Sequence, residues 1–200
     1  VAGDYDYTVT AGGVTSATKS LTFIADVATN VSLTLTGTDS LVADGVSSTT
    51  FTASVTDTNG NPIDAETVTF NIPAGGGSVP GTINTASNGF AYFTLTSSTI
   101  AGNYDYTVTA NGVTSANESL TLIAGSVTNV GLIVTGATSI EADSTATTTL
   151  TASVSDVNNN PVNNEAVTLN IPVSGGAATT NPVTTNASGE AVFILTSSLV

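Results

Sequence analysis

Asp57, Asn59 and Asn61 stand at alternate positions in the run Asp57-Thr58-Asn59-Gly60-Asn61. Side-chain oxygens spaced two residues apart open many calcium loops, because a hard cation takes six to eight oxygen ligands. These three residues are therefore candidate ligands for a structural calcium ion. The bidentate acid that should close such a loop is not evident, and a second copy reads Asp156-Val157-Asn158-Asn159-Asn160. The same residue types also build Asx turns, in which Asp and Asn oxygens accept nearby backbone N–H groups. Both readings stand at this point. A second candidate calcium site lies where repeats adjoin, with Asp26 and the strand-end acids Asp4, Asp6 or Asp105 meeting Glu141 or Asp143.

Catalytic chemistry has few carriers. There is no His and no Cys, and the single basic residue, Lys19, is replaced by Glu118 in the next copy. Ser and Thr are plentiful, but no base is present to activate them. Asp64 and Glu66 are only two residues apart, and Asp64 becomes Asn163 in its copy. The expectation is a chain that is not an enzyme, with no catalytic residues and no cofactor beyond the candidate calcium. Tyr5 and Tyr7, with their copies Tyr104 and Tyr106, could stack on sugars. Each pair shares a strand face with a valine, which favours core packing with a tyrosine corner. Asn30, Asn117 and Asn186 sit in glycan-acceptor triplets.

Composition narrows the partners. One basic residue against 15 acidic ones gives a net charge of −14 over 200 residues. Nucleic-acid binding rests on Lys and Arg neutralising phosphates, and attraction to anionic lipid rests on the same residues. Neither partner is expected. No run of about 18 apolar residues is present, so no membrane-spanning helix is expected. Hydrophobic residues make up 40% of the chain, enough for packed cores, and Thr, Ser, Asn and Gly carry the surface. No signal peptide is visible, and a chain that begins within a repeat would not show one.

The positioning elements are strands. Apolar residues alternate with polar ones at period two: Phe51, Ala53 and Val55; Val68, Phe70 and Ile72; Ala91, Phe93 and Leu95; Tyr104, Tyr106 and Val108. Thr on the opposite face suits a pleated strand because its β-branch stiffens χ1. Asn59-Gly60-Asn61-Pro62 and Asn158-Asn159-Asn160-Pro161 read as turns, and Asn111-Gly112 as a hairpin. Seven strands are predicted for the complete unit, over about 30–36, 48–57, 66–73, 81–86, 90–98, 103–110 and 117–124. No ten-residue segment carries a helical period. Seven short antiparallel strands in about a hundred residues predict an all-β fold, an immunoglobulin-like sandwich.

The pattern repeats. Residues 2–25 return at 101–124, residues 51–73 at 150–172, and residues 87–98 at 187–198. A period this long indicates an array of whole small domains. The ordered blocks T-A-x-V-x-D-x-N-x-N-P, E-x-V-T-[FL]-x-I, [NS]-G-x-A-x-F-x-L-T-S and A-G-x-Y-x-Y-T-V-T-A together resemble the bacterial immunoglobulin-like repeats of intimins and invasins. All four lie in residues 50–110, three recur in 149–198, and the fourth stands alone at 2–11. The resemblance implies a secreted, surface-tethered rod of tandem sandwiches. Such a rod holds an adhesive tip away from the cell, and any host or cell-surface receptor is met by domains outside this chain.

The phase of the repeat divides the chain into three parts. Residues 1–25 are the last two strands of one repeat, 26–125 a complete repeat, and 126–200 the first five strands of another. The two strands that 126–200 lacks bring Tyr104, Tyr106, Val108, Leu120 and Leu122 to the core of the complete repeat. Burying each is worth roughly 1.5–3 kcal/mol, and five together approach a domain's whole net stability of about 5–15 kcal/mol. Residues 126–200 are thus expected to be completed by a hairpin of the 1–25 type. It comes either from a continuing chain, as in a covalent stalk, or from the next chain, as in a filament built by strand complementation. Tyr5, Tyr7, Val9, Leu21 and Phe23 are the residues expected to pack between units. A reading of a different class is a carbohydrate-binding or accessory module of a secreted enzyme, which needs exposed aromatics. Only Tyr92 and Phe90 are placed for that, and their copies are Val192 and Glu190.

Overall fold

A computed structural model describes residues 1–199. The described residues form strands and turns with no helix, and they divide into two compact units. The first comprises Val1–Leu41, Gly45–Ser98 and Gly102–Leu122, and the second comprises Val42–Asp44, Thr99–Ala101 and Ile123 onwards.

The first unit opens with a ribbon. Strands β1 (Gly3–Tyr7) and β4 (Lys19–Phe23) pair antiparallel, and β2 (Thr10–Ala11) pairs with β3 (Val14–Thr15) at the ribbon's tip. The tip turn is Gly12-Gly13, and both residues have positive φ, 56° and 82°. A two-residue hairpin turn of this twist requires that conformation at both positions.

A sandwich follows. Its first sheet has the order β10 (Phe90–Thr96), β7 (Ser48–Thr56), β5 (Asn30–Leu35). The second runs β6 (Ser40–Val42), β13 (Glu118–Ile123), β11 (Gly102–Ala110), β8 (Thr67–Asn71), β9 (Thr82–Asn84), with β12 (Val113–Thr114) paired to β11. The inward faces are those that the alternation predicts. Phe51, Ala53, Val55, Phe93 and Leu95 of one sheet, and Val68, Tyr106 and Val108 of the other, are fully buried. Rings meet across the gap between sheets: Phe51 lies 5.2 Å from Phe70 and 5.3 Å from Tyr106, and Phe70 lies 5.0 Å from Phe93. Tilted and edge-on pairs at this spacing add to simple burial.

Three details differ from the sequence expectation. The short strand β6 lies outside the seven predicted strands; only Leu41 of its three residues is buried, which is too little for a periodic signal. Ile72 lies beyond the end of β8 and is half-buried. Tyr104 is half-buried rather than a core residue. It covers the backbone at Gly75, where an added Cβ would come within 3.1 Å of its hydroxyl.

The second unit repeats half of this plan. Strands β14 (Asn129–Val134), β15 (Thr147–Ser155), β19 (Glu190–Thr196) and β17 (Ala177–Ala178) form one sheet, while β16 (Ala166–Val167) pairs with β18 (Val183–Thr184). Strand β16 holds two residues where β8 holds five. In β8, the register Val108↔Phe70 and Ala110↔Val68 gives the strand a neighbour on β11. No such neighbour lies beside β16 among the described residues, and the backbone of Leu169 bonds instead to the Asn181 side chain, at 2.9 and 2.8 Å. Beyond residue 123 the buried apolar residues are Ala152, Val154, Ala191 and Phe193, with Leu150, Val167, Leu169 and Val183 half-buried and packed against Ala152, Ala191 and Phe193.

The contrast is measurable at equivalent leucines. Leu33 of β5 is 7% exposed, whereas Leu132 of β14 is 52% exposed. Truncating Leu33 to Ala should cost about 2–4 kcal/mol, within the range for buried leucines, and truncating Leu132 under about 1 kcal/mol. Urea unfolding of the two variants, followed through the transition of each unit, checks the difference.

Candidate functional site

The Asp57 turn is built by a buried carboxylate. Strand β7 ends at Thr56, and Asp57, 1% exposed, turns its side chain back under the loop. Oδ1 accepts the backbone N–H groups of Asn59 at 2.8 Å and Asn61 at 2.9 Å. Oδ2 accepts the Asn61 side-chain amide at 2.8 Å and the Asp26 backbone N–H at 3.1 Å. The Asp57 carbonyl accepts the Asn30 amide at 2.8 Å, and Asn61 Oδ1 accepts the Ala2 N–H at 2.8 Å. Asp57 and Asn61 thus hold the chain at Ala2 and at Asp26, the two ends of the β1–β4 ribbon.

The second unit contains the same box, atom for atom. Asp156 Oδ1 accepts from Asn158 N and Asn160 N, both at 2.8 Å. Its Oδ2 accepts from Asn160 Nδ2 and Gly125 N, both at 2.9 Å. Asn129 donates to the Asp156 carbonyl and Ala101 N to Asn160 Oδ1, each at 2.8 Å. Two further amides reach backbone in this copy: Asn160 Nδ2 donates to the Thr99 carbonyl and Asn158 Nδ2 to the Ala43 carbonyl, both at 3.0 Å.

This geometry is an Asx turn with long-range donors. Each carboxylate receives four N–H groups, and a cation at the same oxygens would have to displace them. Asn59 and Asn61, taken with Asp57 as candidate calcium ligands, present N–H groups to the carboxylate. Of the other candidate acids, Glu141 is exposed and the remaining five accept hydrogen bonds. Ser20 donates to Asp6, Thr22 to Asp4 and Ser119 to Asp105. Asp26 Oδ1 accepts the Val27 N–H, and Asp143 Oδ1 accepts Thr145 N, Ala146 N and the Ser197 hydroxyl. Among the described residues no cluster of three or more acids, His or Cys could hold an ion.

Hydrogen bonding to the charged form lowers a carboxyl pKa. The Asn61 amide, with the N–H groups of Asn61, Asp26 and Asn59, holds Asp57 at about 2 despite its burial. Burial pushes Asp156 up, and the donors on Asn160, Gly125 and Asn158 together outweigh it, leaving the group below the ordinary range. Backbone donors on Ala146 and Thr145 bring Asp143 to about 2.

The tyrosines separate. Tyr106 is buried and donates to the Gly76 carbonyl at 2.6 Å; burial first, and the neighbouring Tyr104 second, push its hydroxyl up to about 12. Tyr5, Tyr7, Val9, Leu21 and Phe23 all lie exposed on the ribbon, with Tyr5 and Phe23 in ring contact at 5.0 Å. Phe90 and Tyr92 point outward, their rings 6.4 Å apart. Of the glycan-acceptor asparagines, Asn30 and Asn186 are engaged with backbone, and Asn117 is exposed.

Residues 30–123 match the model of the bacterial Ig-like domain, group 1. The central repeat belongs to the bacterial Ig-like domain family. The chain is 36% identical over 186 residues to the inverse autotransporter adhesin YeeJ of Escherichia coli K12, a match that takes in 90% of this chain and 8% of that protein. The Escherichia coli adhesin FdeC superposes with a TM-score of 0.63 at 24% identity, over all of this chain and 66% of that one. Invasin, a bacterial integrin-binding protein, superposes with a TM-score of 0.63 at 20% identity, over 99% of this chain and 41% of that one. The central repeat has the Ig-like sandwich that its motif blocks imply, and the proteins this chain resembles are adhesins.

The roles of Asn30, Asn61, Asn129 and Asn160 were not read from sequence. Their signal was available: each Asp is followed by an Asn four residues later and preceded by one 27 residues earlier in both copies.

Because Asp57 titrates near 2 when folded and near 3.9 when unfolded, its contribution to stability is full above about pH 4. It fades as pH falls through about 2. The melting temperature should therefore drop between about pH 4 and pH 2, and Asp57→Asn should flatten that drop while lowering stability at pH 7. Adding calcium or a chelator at pH 7 should leave the melting temperature unchanged.

Proposed function

We propose that the chain is a mechanical spacer: a non-catalytic segment of a surface stalk whose sandwiches resist extension and carry an adhesive region elsewhere in the protein. The observation that supports this most is the twofold use of one box. Asp57 with Asn61, and Asp156 with Asn160, bind backbone groups at corresponding places in two repeats. A site selected for a ligand would spend its polar groups on that ligand. Here they are spent on the chain itself, and the surface between is Thr, Ser and Asn. Antiparallel sheets closed over an aromatic core unfold cooperatively, which suits a unit that must hold its length under tension. Receptor contact, where it occurs, belongs to parts of the protein beyond these residues, and the neighbouring repeats are this segment's immediate partners.

Single-molecule extension tests the reading. Pulling the chain should give a discrete force peak for the complete sandwich, with a contour gain of about 300 Å from residues 30–123. Asn61→Ala, which removes one amide from the box, should lower that force. A smooth extension with no peak, or specific retention on a glycan array abolished by Tyr92→Ala, would replace the spacer with a binding module.

A further inference from the structure

We propose that Asn186 is a modification site, an acceptor for N-linked glycosyl transfer, and that its triplet is the one of three that the folded chain presents. The triplets are Asn30-Val31-Ser32, Asn117-Glu118-Ser119 and Asn186-Ala187-Ser188. In the pattern Asn-x-Ser/Thr the sugar attaches to the asparagine side-chain nitrogen. That nitrogen must be free and the hydroxyl two residues on must be open to recognition. The two must also lie close together. Along a strand, side chains at i and i+2 stand about 7 Å apart, and a turn brings them nearer.

Asn186 meets all three conditions. It opens the turn between β18 and β19, which closes through the Gly189 N–H on the Asn186 carbonyl at 2.9 Å. The Asn186 side chain accepts the N–H groups of Ser188 at 2.9 Å and Glu190 at 3.0 Å on a single atom. Two donors on one atom identify it as the oxygen. Nδ2 is left over, and neither it nor the Ser188 hydroxyl has a hydrogen-bond partner among the described residues. Asn186, Ala187 and Ser188 are all exposed. The turn is also fixed in place. Gly189 has a φ of 73°, a Cβ there would collide with the Val154 carbonyl, and the Gly189 carbonyl accepts the Val154 N–H at 2.8 Å.

The other two triplets fail. Asn30 and Ser32 lie in β5, paired to β7, and Asn30 Nδ2 donates to the Asp57 carbonyl at 2.8 Å. Asn117 is exposed, but Glu118 and Ser119 belong to β13 and pair with Tyr106 and Asp105. The Ser119 hydroxyl is occupied by Asp105. Either triplet would have to leave its sheet to bend. The corresponding turn of the first unit has the same closure, Gly89 N–H on the Ala86 carbonyl at 2.8 Å. It reads Ala86-Ser87-Asn88 and carries no triplet.

The transfer consumes an activated sugar, a glycosyl diphosphate. Asn186 Nδ2 forms the bond to the anomeric carbon. The bond from that carbon to the diphosphate oxygen breaks, and its electron pair leaves on the diphosphate. A base of the transferase takes the Nδ2 proton. An amide nitrogen is a weak nucleophile because its lone pair is shared with the carbonyl. The two donors on Oδ1 stabilise negative charge there, which eases loss of the proton. The attached sugar displaces no packing, because the whole triplet is exposed. The proposal does not depend on the spacer reading.

The folded chain, incubated with an N-glycosyltransferase that recognises Asn-x-Ser/Thr and with UDP-glucose as the probe, tests it by peptide mass spectrometry. One hexose should appear on Asn186 at least about tenfold faster than on Asn30 or Asn117, whose triplets must wait for local opening. Ser188→Ala keeps the backbone of the turn and should abolish the transfer, with the melting temperature retained. A folded chain that takes no hexose at Asn186, or takes it equally fast at Asn117, would overturn the proposal. So would transfer that survives Ser188→Ala, because exposure alone would then select the residue.

Discussion

A three-stranded antiparallel sheet with one apolar face is stable only when that face is dry. In this chain the requirement is met once and left open once. The sheet β5-β7-β10 is covered by β11 and β13, and its Phe51, Phe93 and Leu95 are fully buried. The sheet β14-β15-β19 has the same strands in the same register, with Leu150 in place of Phe51, and Leu150 is half-buried. The two sheets keep similar backbone hydrogen bonds, so cover is the principal difference between them. Burial of apolar surface is the dominant favourable term in folding; main-chain bonds contribute little net stability, because the unfolded chain makes them to water.

The boxed carboxylate is the second element of the design. A buried charge is costly unless hydrogen-bonded, and Asp57 and Asp156 each accept four N–H groups. The donors come from the turn and from residues about 31 positions earlier. The charge therefore ties a local turn to a distant point in the chain, where a neutral Asn would offer one acceptor oxygen and a mismatched amide. In a protein without Cys, this is how a loop can be pinned where a disulfide would otherwise serve.

The strands were legible in sequence because a sandwich buries alternate residues, and Thr on the wet face left the period-two signal clean. Strand β6 was not legible, since Leu41 alone faces inward over its three residues. The shortening of β16 to Ala166–Val167 could not be read either. Its sequence matches β8 closely, and the difference arises from the neighbour each strand has. The box shows the same limit. Asp57, Asn59 and Asn61 are the right residues for a calcium loop and for an Asx turn alike, and only the arrival of Asp26 N and Ala2 N, remote in sequence, distinguishes them. Tyr104 and Tyr106 share a face by periodicity, yet only Tyr106 reaches the core.

Native-state hydrogen exchange tests the central claim, that cover by a hairpin determines the stability of an Ig-like sheet in this chain. Strands β7 and β15 are both central, both nine residues long and both paired on two sides. At a concentration where the chain is monomeric, amides of Thr147–Ser155 should exchange at least about a hundredfold faster than those of Ser48–Thr56. Equal protection of the two strands would contradict the account, because backbone pairing alone would then suffice.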